Sequence, residues 1–289
     1  MLLAIFVFGV LLVWASADKN LRYEKEIQNY PGLFTVNDHV YSSKEEFIMS
    51  GKRCGTKDLS EDRMFEIEQK LASTPEESDN EKRKKLNIIT FFHVIKDSSG
   101  NGALTEAEIE SQMDALNAGF KQTRTFFELQ GTTETENDDW FAAEYGSAEE
   151  SDMKSSLHVG DSRCLNIYSI QNSQGILGWA TFPSEAEGDL DGDGVVIDYR
   201  TIPGGAAAPY NEGDTLTHEV GHWMGLYHTF QDGCKKNRNQ GDGVKDTPAV
   251  ASPNFGCPDE STNSCPGKKG QLKGKDLVHN FMDYVDDAC

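Results

Sequence analysis

The eleven residues His218-Glu219-Val220-Gly221-His222-Trp223-Met224-Gly225-Leu226-Tyr227-His228 decide what kind of protein this chain forms. His218 and His222 are four residues apart, and residues at that spacing share one face of an α-helix. Gly225 can adopt a positive φ, which ends the helix and turns the chain back, so that His228 reaches the same point from outside it. Three neutral imidazoles that converge in this way bind zinc and leave a fourth position open for water.

Glu219 follows the first predicted ligand directly. A carboxylate at this position reaches a zinc-bound water, takes its proton during attack on a carbonyl group, and returns it to the leaving amine. A bare H-E-x-x-H also occurs in helices that bind nothing, but the added glycine and third histidine disfavour that interpretation. We expect a zinc helix over about residues 214–225, with Asp214 as its N-cap.

Residues 280–284, Asn-Phe-Met-Asp-Tyr, follow this motif near the end of the chain. Together the two stretches resemble the metzincin clan of metalloproteases, in which a methionine turn follows the third histidine. The resemblance implies that Met282 forms an apolar floor below the metal and is not a ligand. It also implies that Tyr284 helps to stabilise the oxyanion of the tetrahedral intermediate. A buried core tyrosine is the alternative interpretation of Tyr284.

Within that clan, the chain is most similar to the pappalysin (cytophagalysin) family, and especially to its secreted fungal-type members. The resemblance covers about residues 86–289 and is carried by His218–Phe230, Gly241–Pro248, Gly256–Pro258, His279–Tyr284, Gln112–Asn117 and Leu177–Pro183. It implies an α+β, metzincin-type zinc protease fold. In that fold an upper sheet-and-helix subdomain is joined to a small, irregular, disulfide-stapled lower subdomain. Substrate pairs with an edge strand, for which 176–182 is the candidate.

Hydrophobic patterning agrees with such a fold. Apolar and β-branched runs predict strands over 86–95, 165–170, 176–182 and 195–197. Helical periodicity predicts one helix over 105–121. Strands and helices therefore alternate before the zinc helix, and little regular structure is predicted after it.

The beginning of the chain predicts export from the cell. Residues 1–17 form an apolar run that ends in Ala-Ser-Ala, the small-x-small pattern of a signal peptide. The run is short for a membrane span, and no other stretch is apolar enough to cross a bilayer. We expect a secreted, extracellular protein.

Residues 18–85 predict a propeptide, and residues 86–289 a catalytic domain. The first region is polar and weakly patterned, and it ends in a charged run typical of an exposed linker. Lys82–Lys85 offers a cleavage site to a convertase or a trypsin-like protease. The alternative is a solvated basic patch.

The charge of the chain argues against two classes of partner. The formal net charge is −21, and residues 86–289 hold 14 Lys and Arg against 33 Asp and Glu. Such a surface repels nucleic acid and anionic membranes. It favours basic substrates, although solubility explains the charge equally well.

Six cysteines in a secreted chain predict a disulfide framework. Four of them follow the zinc motif, and four cysteines allow three connectivities. The family resemblance implies the pairs Cys234–Cys265 and Cys257–Cys289. Cys54, within the predicted propeptide, either occupies the open zinc position as a latency switch or pairs with Cys164. We favour the switch, with Cys164 buried and reduced.

Two acidic stretches resemble calcium sites. The family resemblance implies a calcium loop formed by Asp242, Val244 through its carbonyl, Asp246 and Thr247. Asp189–Gly194 opens like an EF-hand loop but lacks the closing glutamate, so that an acidic turn is the favoured interpretation.

These observations predict a secreted zinc metalloendopeptidase that hydrolyses peptide bonds of proteins and is made as a zymogen. The alternative is a catalytically silent, secreted metal-binding protein of the same fold.

Overall fold

The described part of the chain comprises residues 34–36, 39–73, 85–234, 241–244, 246–266 and 274–289 of a computed structural model. The predicted signal peptide, 1–17, and most of the predicted cleavage site, 82–84, lie outside these residues. None of the helices within the described ranges is long and apolar enough to cross a membrane.

A five-stranded sheet forms the centre of the molecule. Its strands are β3 (Leu86–Lys96), β4 (Thr125–Glu136), β5 (Cys164–Ile170), β6 (Gly178–Ala180) and β7 (Val195–Asp198). Two further strands, β1 (Phe34–Val36) and β2 (His39–Tyr41), form a separate antiparallel pair. The order in the large sheet is β4-β3-β5-β7-β6. All neighbours are parallel except β6, which pairs antiparallel with β7 at one edge.

Helices cover both faces of this sheet. In chain order the described helices are α1 (Lys44–Met49), α2 (Glu61–Ser73), α3 (Glu106–Gly119), α4 (Asp138–Phe141), α5 (Ala148–Leu157), α6 (Pro183–Ala186) and α7 (Asp214–Trp223), with 3-10 turns at Lys121–Thr123 and Tyr199–Thr201. Alternate residues of a strand point to opposite faces. On β5, Ile167 therefore joins the core under α3 and α7, whereas Tyr168 joins the core under α4 and α5.

Several predicted elements are confirmed with small shifts, and others need correction. The predicted strand over 176–182 is only Gly178–Ala180, although it does lie at the sheet edge. β4 was not predicted, because its exposed threonines and glutamates make the strand look like a polar loop. The zinc helix ends at Trp223, and its N-cap is Gly213, with φ of 96°, rather than Asp214, which is the first helical residue.

The region before the sheet is more ordered than its composition indicates. Residues 39–73, hereafter the N-terminal segment, contain α1 and α2 rather than a weakly patterned coil. Met64 of α2 is fully buried against Phe182 and Tyr227. Lys44 forms an ion pair with Asp286 at 2.5 Å. The N-terminal segment is therefore packed against the rest of the protein.

The chain beyond α7 forms an irregular lower part. No helix or strand occurs in its described residues, 224–234, 241–244, 246–266 and 274–289. Disulfide bonds join Cys234 to Cys265 and Cys257 to Cys289, the pairs that the family resemblance implies. A segment with so little hydrogen-bonded secondary structure depends on such crosslinks, each of which stabilises a fold by ~2–4 kcal/mol.

Candidate metal centre and active site

Three histidines meet at one point above α7. The Nε2 atom of His222 lies 3.2 Å from that of His218 and 3.1 Å from that of His228, and all three side chains are buried. Gly225 makes this possible, since its φ of 94° turns the chain out of the helix as the sequence predicts.

The opposite ring nitrogens are each held by an oxygen. His218 Nδ1 lies 2.6 Å from the carbonyl of Phe281, and His222 Nδ1 lies 2.8 Å from that of Leu226. A carbonyl only accepts hydrogen bonds, so each Nδ1 carries the proton and each Nε2 presents a lone pair. His228 Nδ1 lies 2.9 Å from Asp58 Oδ1 of the N-terminal segment.

These donors fit a metal ion. Converging lone pairs repel one another unless a cation lies between them. Burial lowers the pKa of His218 and His222 well below the usual range, so both rings stay neutral, as metal ligands must be. Three imidazoles are a donor set that zinc prefers.

Cys54 completes the cluster from the N-terminal segment. Its Sγ and one ring nitrogen from each of the three histidines all lie within 4.8 Å of one another. Burial and the neighbouring Glu219 raise the pKa of this thiol well above its usual value, so that a thiolate here requires a cation beside it. Cys54 and Cys164 are both free of disulfide bonds, and Cys164 is only half-buried instead of buried.

Glu219 lies beside this cluster. Its side chain is fully buried, and burial raises its pKa to about 7. Oε2 accepts a hydrogen bond from Thr56 at 2.9 Å, whereas Oε1 has no partner in the described structure. A carboxylate with a pKa near neutrality is suited to accept and return a proton.

The N-terminal segment lies along the edge strand. The Leu177 amide donates to the Lys52 carbonyl at 2.9 Å, and the Gly55 amide donates to the Gly178 carbonyl at 2.8 Å. A Cβ on Gly55 would lie 3.1 Å from Ile176 Cγ2, so glycine permits this close approach. The segment thus occupies the edge that an extended peptide would pair with.

Arg53 is buried in an acidic hollow next to the histidines. Its Nη1 donates to Thr215 Oγ1 at 3.3 Å, and its guanidinium lies 4.9 Å from the ring centre of Tyr210. The carboxylates of Asp214, Asp286 and Asp287 line the same hollow.

The methionine turn supports the helix from below. Met282 is buried, and its Sδ lies so close to Gly221 that a methyl group there would overlap it. The Tyr284 hydroxyl lies 3.1 Å from His228 Nε2. Burial raises the pKa of this hydroxyl well above its usual value, so it stays protonated and can donate.

The two acidic stretches differ in their geometry. Asp242 Oδ1 accepts from the Val244 amide at 3.0 Å, and burial raises the pKa of Asp242 to about 6. In the stretch 189–194, Asp193 is buried and accepts a hydrogen bond from Trp223 Nε1 at 3.1 Å. This contact is the one expected of a structural turn. The carboxylate of Asp193 is therefore engaged with the core.

The sequence did not predict three functional neighbours, namely Arg53, Thr56 and Asp58. All three flank Cys54 in Arg53-Cys54-Gly55-Thr56-Lys57-Asp58. Their proximity to the cysteine was the one signal available, since each contacts a residue more than 160 positions away.

Comparison with known proteins agrees with this geometry. A family model for Peptidase M43, described as pregnancy-associated plasma protein-A, matches residues 151–289. An extracellular metalloprotease of Colletotrichum graminicola is 40% identical over 209 residues, which cover 71% of this chain and 70% of that protein. The chain belongs to the pappalysin family of metallopeptidases. The sequence resemblance to this family is therefore confirmed.

Solved structures of pappalysin-family proteins share the fold. A promirolysin mutant from Tannerella forsythia is 27% identical, with a TM-score of 0.64, covering 82% of this chain and 88% of that one. Mature mirolysin of the same organism, in complex with a cleaved peptide, is 29% identical, with a TM-score of 0.58, covering 71% of this chain and 86% of that one.

Proposed function

We propose that this protein is a secreted zinc metalloendopeptidase that is made as a zymogen. The observation that carries the proposal is the convergence of three histidine Nε2 lone pairs beside the buried carboxylate of Glu219. The name of the Colletotrichum relative, an extracellular metalloprotease, supports both the activity and the secretion.

The residues of the chain have separate roles in peptide hydrolysis. His218, His222 and His228 hold zinc, which when bound supplies a Lewis acid for the scissile carbonyl and the attacking water. Glu219 takes the proton of the water and then gives it to the leaving amine. Its pKa of about 7 suits both directions of transfer. Tyr284 donates to the oxyanion, and Met282 supports the zinc helix without binding the metal.

The N-terminal segment keeps the enzyme latent. The Sγ of Cys54 lies within 4.8 Å of a ring nitrogen of each histidine, where it would bind zinc in place of the water that hydrolysis needs. The backbone of residues 52–55 occupies the edge strand that substrate needs. The structural match to the pro form of mirolysin also extends over more of this chain than the match to the mature form, 82% against 71%. Cleavage at Lys82–Lys85 by a convertase or a trypsin-like protease begins activation.

Protein substrates pair with β6 once the N-terminal segment has left. The cleaved peptide bound to mature mirolysin supports a peptide substrate. Departure of Arg53 opens a hollow lined by Asp214, Asp286 and Asp287. Such a hollow favours an arginine or lysine side chain of the substrate, because burying the cation beside carboxylates offsets its desolvation.

The structure also favours one further cofactor. We propose that Asp242, the Val244 carbonyl, Asp246 and Thr247 bind calcium, because a divalent cation would neutralise the buried Asp242 carboxylate.

A cleavage assay tests the proposed activity. Zinc-loaded full-length protein is incubated with an unfolded protein before and after limited trypsin treatment, beside the Glu219→Ala variant. We expect cleavage only by trypsin-treated wild-type protein. Equal activity of the variant would overturn the proposed mechanism. A lack of activity in both samples would favour the silent metal-binding protein.

A further inference from the structure

Thr56 lies between the proposed general base and the edge strand. Its Oγ1 is 2.9 Å from Glu219 Oε2 and 2.9 Å from the backbone nitrogen of Ala180. The Thr56 side chain is buried, so water does not compete for either contact. The same hydroxyl therefore bridges a catalytic side chain and the strand that binds peptides.

The direction of both hydrogen bonds is determined by chemistry. The Ala180 amide can only donate, so the Thr56 oxygen accepts from it. The single hydroxyl hydrogen then remains for Glu219, whose Oε2 must accept. This bond occupies one lone pair of Oε2 and ties Glu219 to the N-terminal segment, whereas Oε1 has no partner in the described structure.

Cys54 cannot perform this task in place of Thr56. Its Sγ lies 3.5 Å from the same Glu219 oxygen, but a thiolate bound to a metal has no hydrogen to donate. The thiol contact and the hydroxyl contact therefore restrain two different parts of the site, the metal position and the base.

We propose that Thr56 is a second latency contact, which ties Glu219 to the N-terminal segment and thereby holds Cys54 in place. This inference rests on the proposed function, in which residues 39–73 inhibit a zinc peptidase. Loss of the Cys54 contact alone then leaves the segment attached to the base through Thr56. Loss of the Thr56 hydroxyl loosens the segment around Cys54, because a buried hydrogen bond to a charged group is among the stronger ones.

Labelling of Cys54 in the full-length, zinc-loaded protein tests the inference. The rate of alkylation by a thiol reagent is measured by mass spectrometry, with Cys164 as an internal reference. The variants are Thr56→Val, which removes the hydroxyl at similar volume, and Thr56→Ser, which retains it. Each is made with Glu219 intact and in a Glu219→Ala background.

We expect Thr56→Val to accelerate labelling of Cys54 about tenfold, a change of ~1.4 kcal/mol, and Thr56→Ser to leave it near the wild-type rate. In the Glu219→Ala background, Thr56→Val should accelerate Cys54 labelling little further, because the hydrogen-bond partner of the Thr56 hydroxyl is already absent. Labelling of Cys164 should stay constant throughout.

Two results would overturn the inference. One is an unchanged Cys54 rate in Thr56→Val, and the other is the same acceleration with and without Glu219. If Thr56→Val accelerates labelling of Cys164 as well as of Cys54, the variant has a folding defect. The same comparison is then made with Thr56→Ala in place of Thr56→Val. The labelling assay does not depend on peptidase activity, so it is independent of the proposed function. If trypsin-treated wild-type protein cleaves substrate but Thr56→Val does not change Cys54 labelling, only the role of Thr56 is refuted.

Discussion

His228 Nδ1 lies 2.9 Å from Asp58 Oδ1, so the third histidine of the metal centre is held by a residue of the N-terminal segment. The other two histidines are held by backbone carbonyls of the region that also carries the zinc helix and methionine turn. Hydrogen bonds to the second nitrogen of a metal-binding histidine fix the ring and strengthen its lone pair. The N-terminal segment thus orients one histidine of the same cluster that it covers.

We expect Asp58→Ala to weaken zinc binding by the full-length protein by about 10–100-fold, because His228 loses the partner that orients it. Competition with a chromogenic zinc chelator measures the change. Glu66→Ala is the matched control, since Glu66 is an exposed carboxylate of the same segment whose ion pair with Arg63 is remote from the histidines. Equal zinc affinity in Asp58→Ala and wild type would contradict the role of Asp58.

Gly221 is expected to resist replacement by alanine. Alanine normally stabilises a helix interior by about 1 kcal/mol relative to glycine. Here the added methyl group overlaps Met282 Sδ, so Gly221→Ala should instead destabilise the protein by about 1–3 kcal/mol. Thermal unfolding measures the loss, and Met282→Ala should relieve part of it in the double variant. Gly188→Ala, whose new methyl group would have its nearest neighbour at 3.8 Å, serves as the control.

Asp214 should make the stability of the full-length protein depend on pH. Burial raises its pKa to about 7, Asp287 adds to this rise, and Arg53 opposes it. The folded protein therefore holds a proton that the unfolded chain releases near pH 4. The stabilising contribution is complete below that pH and is lost as the pH rises through about 7.

Asp214→Asn removes this dependence by mimicking the protonated side chain. Wild type and variant should unfold at similar temperatures below about pH 4, and the variant should be more stable at pH 8. The difference is expected to be on the order of 1–2 kcal/mol, because solvent screens a half-buried carboxylate. The same difference in melting temperature between wild type and variant at both pH values would argue against a titrating Asp214.

Removal of calcium should lower the melting temperature before zinc is lost. A calcium-selective chelator leaves the Asp242 carboxylate buried without a counter-ion, which costs stability. Asp242→Asn should abolish the response to the chelator. Asp189→Asn, in the acidic turn, should retain it. Unchanged melting of wild-type protein in the chelator, with bound zinc measured in parallel, would count against the calcium loop.

Local patterns were sufficient for the zinc motif and for most of the sheet. The i, i+4 spacing of His218 and His222 needs only helix geometry, and the φ of Gly225 needs only the absence of a side chain. β4 was missed because only one side of it is partly buried, at the sheet edge, so its sequence resembles a polar loop. The zinc-helix N-cap was misassigned because Gly213 caps through a left-handed backbone rather than through a side chain.

The sequence by itself was enough to predict the donor set, the proposed base and the family, since those depend on residues at most ten positions apart or on recognisable short motifs. The tertiary structure alone decided what lies over the site. Cys54, Thr56 and Asp58 meet Glu219 and His228 across more than 160 residues of chain. Such contacts arise when Met64 and the backbone of residues 52–55 pack on Phe182, Tyr227 and β6. Packing between distant surfaces leaves no periodicity in the sequence, so only the folded chain shows that residues of the segment 39–73 lie against Glu219 and the histidines.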